Sequence, residues 1–266
     1  LLGASAIALA PIFVRFSDVG PTATAFWRCF LALPVIWVVL SIHGRRHSAL
    51  EAKPEHRRAL LIAGAFFAAD LSFWHVSILW TSVANATLLA NLAPFFVAAY
   101  MVFVKRHRLG RPTLAALLCA ALGIALLTAQ NVEIGGVRLR GDILGIVTAG
   151  CYAGYMLSVA KARLHSGAMQ VNLYTSALAA LFLFIIMLGL GEKIIPSNLQ
   201  AWWPLIGLAV MSQVLGQGLI VYAFAHLPIT FGALSLLLQP VLAAAIAWVL
   251  FGEAMAGLEM VGGAIV

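Results

Sequence analysis

Charge is what this chain has least of. Asp, Glu, Lys and Arg together make up 9% of its 266 residues, where a soluble domain averages about 25%. With hydrophobic residues at 63% and a mean hydropathy of +1.03, a soluble fold around one buried core is excluded. Cysteine is scarce too. Cys29, Cys119 and Cys151 all fall inside apolar runs, where they read as small packing residues and not as a disulfide or metal set. No GxxxxGK[ST] stretch occurs, so ATP hydrolysis is not expected. Gly-x-Ser-x-Gly and His-Glu-x-x-His are missing as well, and a single aspartate, Asp70, lies deep in an apolar run, since Asp142 falls at the end of one. Intramembrane serine, zinc and aspartyl enzymes are disfavoured on those grounds. No catalytic residues and no cofactor are expected. The net charge of +7 does not argue for nucleic acid, because the positive residues sit in short loops between apolar runs.

Long apolar runs are what the chain has most of. A helix crosses a bilayer with about 20 apolar residues, and 266 residues with short loops allow about ten crossings. Spans are expected at 1–16, 22–42, 59–80, 84–104, 112–130, 142–161, 170–190, 203–224, 230–251 and 256–266. No Met opens the chain and the first and last spans start and stop abruptly, so both ends read as trimmed. The expected fold is an all-α integral membrane protein with no room for a soluble domain.

One pattern occurs twice. LLANLAPFFVAAYMVF, from Leu88 to Phe103, returns as LSLLLQPVLAAAIAWVL, from Leu234 to Leu250. Aligning Pro94 with Pro240 gives an offset of 146 (240 − 94), which also pairs Leu88 with Leu234, Leu92 with Leu238 and Leu118 with Ala264. A proline removes a helical hydrogen bond and displaces the carbonyl one turn back, and in lipid such a carbonyl is tolerated only against protein or a watery cavity. Paired interruptions in two halves point to a transporter's binding site. The halves are 1–131 and 142–266, joined by the polar, glycine-containing NVEIGGVRLRG.

Lys and Arg in short loops set the orientation. Arg45, Arg46, Lys53, Arg57, Arg58, Lys105, Arg106, Arg108, Arg111, Lys161 and Arg163 fall on one side, against Arg15, Arg138, Arg140 and Lys193 on the other. That places both termini in the cytoplasm and puts Trp80, Trp202 and Trp203 at the outer interface. Each half holds five spans, an odd number, so the second half enters from the opposite side. The result is two inverted five-helix repeats.

Four stretches carry a family likeness: IALAPIFVRFSDVGPTATAFWR with Pro11, Arg15 and Arg28; the pair around Pro94 and Pro240; FGEAMAGLEMVGGAIV with Gly252, Glu253, Gly262 and Gly263; and VKRHRLGRPTLAALLCAALGIALL, in which Arg106 and His107 replace the Gly-Glu pair. Together with the repeat they resemble the drug/metabolite transporter superfamily in its ten-helix EamA-type branch. The opening stretch and the aromatic third span are similar to YddG-type amino-acid exporters. The resemblance implies a central cavity between the two inverted repeats, alternating access and a small-molecule substrate; the compact loops favour a bacterial inner membrane, and the protein is taken as a monomer.

Polar residues inside spans are candidates for the site, because they are costly there. Asp70 is read as a proton or substrate-amine site, or as a structural carboxyl joining two helices. His75 lies about 140° around the helix from Asp70, and either edges the cavity or caps the helix, while Trp74 is closer to the Asp70 face. Arg28 is expected to snorkel outward or pair with Asp18, with substrate carboxylate binding as the alternative. Asn91 and Phe95 flank Pro94, and Ser235 and Gln239 flank Pro240, so these four are expected at the cavity, with helix–helix glue as the alternative. Gln213 and Gln217 share one face of the eighth span. Tyr152 and Tyr155, with Trp74 and Phe95, are expected to form an aromatic wall, with packing as the alternative, and Pro11, Pro94 and Pro240 are the kinks. Gly145, Gly150 and Gly154 are assigned to packing. The function expected is export of small metabolites, foremost neutral and aromatic amino acids, with other metabolites or toxic compounds as the alternative; an enzyme or a channel is disfavoured.

Overall fold

The computed structural model describes residues 1–42, 54–81, 83–128, 136–251 and 257–265. Arg45, Arg46, Lys53, Gly252, Glu253 and the first part of the expected joint, 131–135, lie outside the described residues. Among those described, every regular element is a helix. In hydrocarbon each backbone N–H and C=O must find a partner inside the protein, and a helix achieves this within one segment. The elements are α1 (Leu2–Ile7), α2 (Ala10–Phe16), α3 (Pro21–Ile42), α4 (Pro54–Trp80), α5 (Val83–Ala90), α6 (Ala93–Ala99), α7 (Arg111–Thr128), α8 (Gly136–Ala162), α9 (Ala168–Leu190), α10 (Trp203–Gly207), α11 (Gly218–Ala223), α12 (Ile229–Leu234), α13 (Leu238–Phe251) and α14 (Gly257–Ile265). Tyr100–Val104 and Leu208–Gln217 are π-helical and run on from α6 and α10.

Six described stretches are long and apolar enough to cross a membrane: Pro21–Ile42, Glu55–Trp80, Asn85–Val104, Gly136–Ala162, Ala168–Leu190 and Leu199–Ala223. Leu2–Phe16, Arg111–Leu126 and Ile229–Ala243 are apolar but shorter. Two boundaries differ from expectation. α4 starts at Pro54, before 59, because a proline fits the first helical turn, where its missing N–H costs nothing. α8 starts at Gly136, so residues 136–141 of the expected joint are helix. Arg138 and Arg140 are exposed there, and long basic chains let a helix run past its apolar length into the interface.

All three kink prolines break their helices. Pro11 follows the interruption at Ala8 and Leu9 between α1 and α2, and Phe13 N–H then bonds the Leu9 carbonyl at 3.2 Å. Pro94 follows the interruption at Asn91 and Leu92, where Phe95 N–H turns back to the Leu92 carbonyl at 2.9 Å. Before Pro240 the chain tightens into a short 3₁₀ turn, Ser235–Leu237. α4 packs along α8 and α9, and α3 along α9. The π-helical Leu208–Gln217 packs against α1 and α3, α7 against α14, and α6 against α12.

Small residues make the closest crossings possible. A Cβ on Gly141 would lie 2.8 Å from the Thr81 backbone nitrogen and 2.9 Å from the Trp80 carbonyl carbon. The same crossing carries a hydrogen bond from Ser77 Oγ to the Gly141 carbonyl at 2.7 Å.

A clasp joins the turn at 17–20 to the segment at 191–198. α9 ends at Gly191, whose φ of +63° suits glycine in the left-handed region. The next residue, Glu192, then accepts from Ala23 N–H at 2.9 Å, a carboxylate placed at the positive end of α3. Gly20 N–H bonds the Lys193 carbonyl at 2.9 Å and Trp27 Nε1 the Ile194 carbonyl at 2.7 Å. Asp18 accepts from Lys193 Nζ at 2.8 Å and from Ser197 N–H at 2.9 Å. The Lys193 ammonium and the Ser197 amide hold the Asp18 carboxyl down from 3.8 to about 2.

Two outcomes are expected from thermal denaturation in detergent. Gly141→Ala forces a methyl against backbone that cannot step aside and destabilises by about 1–3 kcal/mol, whereas Gly189→Ala, with nothing within 4 Å, is neutral or better. For Asp18 the folded carboxyl lies below its unfolded value, so its contribution is complete above the unfolded value and is lost as pH falls towards about 2. The Tm difference between the protein and Asp18→Asn is therefore constant near neutrality and shrinks on acidification.

Candidate functional site

The proline breaks open onto one cavity. It lies between α1, α2, α3, α4, α5, α8, the π-helical Leu208–Gln217 and α13. Its polar lining is Arg28, Asp70, Thr87, Asn91, Tyr152, Gln217 and Gln239. Ile7 and Ala90 line it as well. They are the residues whose carbonyls lose a helical partner at Pro11 and Pro94, so displaced backbone meets polar space as the bilayer requires. The cavity volume is about 70 Å³.

An acidic and a basic side chain line the same cavity. Asp70 is 7% exposed and Arg28 4% exposed. Among the described residues no ion pair joins them and no hydrogen bond reaches the Asp70 carboxyl. Arg28 Nε donates to Gln213 Oε1 at 3.0 Å. Asn91 Nδ2 donates to the Thr87 carbonyl at 2.7 Å, and the amide nitrogens of Gln217 and Gln239 are buried without a hydrogen-bond partner. Beside them runs an aromatic column: Phe67 stacks on Tyr155 with centroids 4.7 Å apart, and Tyr155 lies parallel to Tyr152 at 5.9 Å. Trp74 adds an apolar face to the lining.

Of the residues singled out from sequence, Asp70, Trp74, Asn91, Tyr152, Gln217, Gln239 and Pro11 line the cavity. His75, Phe95, Tyr155, Gln213, Ser235, Pro94 and Pro240 are not part of that lining. His75 is 1% exposed, its Nδ1 lies 2.7 Å from the Leu71 carbonyl, and its ring meets Trp74 edge-on. Phe95 packs against Ala120, Ile124 and Leu237. Ser235 Oγ donates to the Gly232 carbonyl at 2.7 Å. Tyr155 and Gln213 stand directly behind the wall, as the stacking and the Arg28 bond show.

Arg28 corrects the sequence reading. It neither snorkels nor pairs with Asp18, which Lys193 holds instead. At about 1.5 Å per residue, Arg28 sits about 10 Å below the start of α3 and Asp70 about 15 Å from the end of α4. A lone deep carboxylate calls for a cation at similar depth, and that was the available signal.

Two stretches of the chain, 1–129 and 139–266, match the EamA-like transporter family. The "Pseudopaline exporter CntI" of Pseudomonas aeruginosa is 25% identical over 207 residues, 78% of this chain and 71% of that protein. An "Uncharacterized transporter" of Archaeoglobus fulgidus is 25% identical over 262 residues, 96% of this chain and 88% of that protein. A crystal structure superposes on all of this chain and 92% of its own with a TM-score of 0.81 at 16% identity, a likeness of fold alone. With nearly its whole length matched, this chain belongs to the EamA-like transporter family.

Proposed function

We propose that this transporter exports amino acids, aromatic and other neutral ones among them, by alternating access around the Asp70–Arg28 cavity. The observation that carries the reading is the cavity's lining: one carboxylate, one guanidinium, three amides and aromatic faces in a single buried space. A zwitterion with an apolar side chain asks for such a set. The cavity is narrow in this conformation and widens when one side opens.

Further features support the architecture. We read the chain as ten spans in two inverted repeats, 1–131 and 142–266, with both termini in the cytoplasm of an inner-membrane protein acting as a monomer. The helix contacts keep their pattern when the halves are exchanged. α4 on α8 corresponds to the π-helical Leu208–Gln217 on α1, and α4 on α9 to the same segment on α3. The offset of 146 places Phe67 and Leu71 opposite Gln213 and Gln217, all at or directly behind the cavity. Asn91, Gln217 and Gln239 stay in the site assignment on cavity geometry. Phe95 and Ser235 are proposed to enter it only when the broken helices move. Pro94 and Pro240 act as hinges. His75 keeps Trp74 in place by its edge-on contact. A second reading, export of a pseudopaline-like compound, draws on the relative of that name.

Purified protein in liposomes tests the proposal by counterflow of a labelled neutral amino acid. Uptake above empty liposomes, competed by other amino acids, is expected. Asp70→Asn removes the charge that holds the substrate ammonium. A hydrogen bond to a charged group is worth about 1.5–3 kcal/mol, so a loss of affinity of roughly tenfold to a hundredfold is expected. Absence of counterflow across a full amino-acid panel would refute the substrate assignment and leave the family standing.

A further inference from the structure

We infer that Arg28 is the carboxylate-binding subsite of the cavity, and that Gln213, Ser176 and Asn172 are positioning residues that hold its guanidinium for that purpose. The inference rests on the transporter reading above and adds the chemical class of ligand group.

The geometry is a closed circuit of hydrogen bonds behind the wall. Arg28 Nε donates to Gln213 Oε1 at 3.0 Å. Gln213 Nε2 donates to Ser176 Oγ at 2.9 Å. Ser176 Oγ donates to Asn172 Oδ1 at 3.4 Å, and Asn172 Nδ2 returns to the Gln213 main-chain carbonyl at 3.1 Å. Gln213, Ser176 and Asn172 are all 0% exposed. An amide side chain has one acceptor and one donor end, and the circuit uses both ends of Gln213 and of Asn172. Gln213 therefore cannot flip: its oxygen faces Arg28 because its nitrogen is tied to Ser176.

The consequence falls on the guanidinium. Arginine presents five N–H donors in a rigid planar fork suited to two parallel bonds to one carboxylate. With Nε fixed on Gln213, the plane is set and the Nη1–Nη2 edge is left over. Among the described residues neither terminal nitrogen has a hydrogen bond, and Arg28 lines the cavity. An arginine present only to glue helices would spend its fork on protein acceptors. This one spends a single N–H on a three-residue scaffold and keeps the bidentate edge for the cavity. Asp70 on the same cavity balances the charge without reaching the fork, so a substrate can enter between them. The π-helical Leu208–Gln217 that presents Gln213 is itself an irregularity that recurs at functional sites.

Equilibrium binding to the purified full chain in detergent tests this, with matched probes: L-phenylalanine against L-phenylalaninamide and L-leucine against L-leucinamide, read by ligand-induced thermal stabilisation. The acids are expected to bind at least tenfold more tightly than the amides. Arg28→Gln is expected to bring that ratio close to one, and Arg28→Lys to restore part of it. Ser176→Ala, which removes one hydroxyl and leaves Arg28 in place, is expected to lower the ratio several-fold while the amide affinities stay unchanged. Folding is checked by a single symmetric size-exclusion peak, and Ser176→Ala carries the test if Arg28→Gln fails that check. Three outcomes would overturn the subsite: a ratio in Arg28→Gln equal to that of the protein itself, equal losses for acid and amide in Ser176→Ala, or wild-type protein that binds amides as well as acids. Each of these leaves amino-acid export intact if counterflow is seen. Binding of neither probe class, together with absent counterflow, would overturn both.

Discussion

A backbone carbonyl in hydrocarbon has no partner except another part of the protein, and the structure follows from that constraint. It makes every described element a helix, and it makes each break in a helix an expense that must be met locally. The breaks at Pro11 and Pro94 release carbonyls at Ile7 and Ala90, and both of these residues border the cavity. Asn91 adds a side-chain donor beside the second break, on the Thr87 carbonyl at 2.7 Å. The cavity is therefore where these two breaks open, and Asn91, a polar residue of its lining, serves the backbone there.

Charge obeys the same rule more severely. A buried ion without a partner costs several kcal/mol, and Asp70 and Arg28 line one cavity with no ion pair between them among the described residues. A tight pair would be the cheaper arrangement for stability alone. Arg28 is instead restrained through Gln213, with Ser176 and Asn172 fixing the direction of that amide. On the proposed reading, this restraint keeps the terminal nitrogens of Arg28 available to a substrate.

Much of the fold was legible in the sequence because membrane physics leaves few alternatives. Apolar length marked the helices, and the two proline patterns marked where they break. The misplaced boundaries are those where polar residues extend a helix beyond its apolar length, as Arg138 and Arg140 do in α8, since hydropathy is blind to helix lying in the interface. In the site, Asp70, Trp74, Asn91, Tyr152, Gln217 and Gln239 could be found from polarity, aromatic character and helical face. Arg28 was misread because its distance from the end of its own helix allows either snorkelling or burial. The choice is made by Gln213, 185 residues away, and one sequence shows no such pairing. His75 lies outside the lining: its Nδ1 is met by the Leu71 carbonyl of its own helix, a local solution that a helical wheel does not display.

The clasp and the cavity place opposing demands on the same helix. α3 carries Arg28 on its inner face, and its first two turns are held by Glu192 through Ala23 and by the Ile194 carbonyl through Trp27. Those bonds tie a turn of the first family-matched stretch to a loop of the second. On the proposed alternating-access reading, the halves separate at this end when the cavity opens towards it, and the clasp is what they must release. Its bonds suit that role. They are few, they lie at the rim where water can replace each one as it breaks, and exposed ion pairs such as Asp18–Lys193 contribute little. The crossing at Gly141 is of another kind, close-packed backbone with no slack. It joins α4 to α8, and on the same proposed reading these two helices travel together while the motion falls to the elements that proline, π-helix and 3₁₀ turn interrupt.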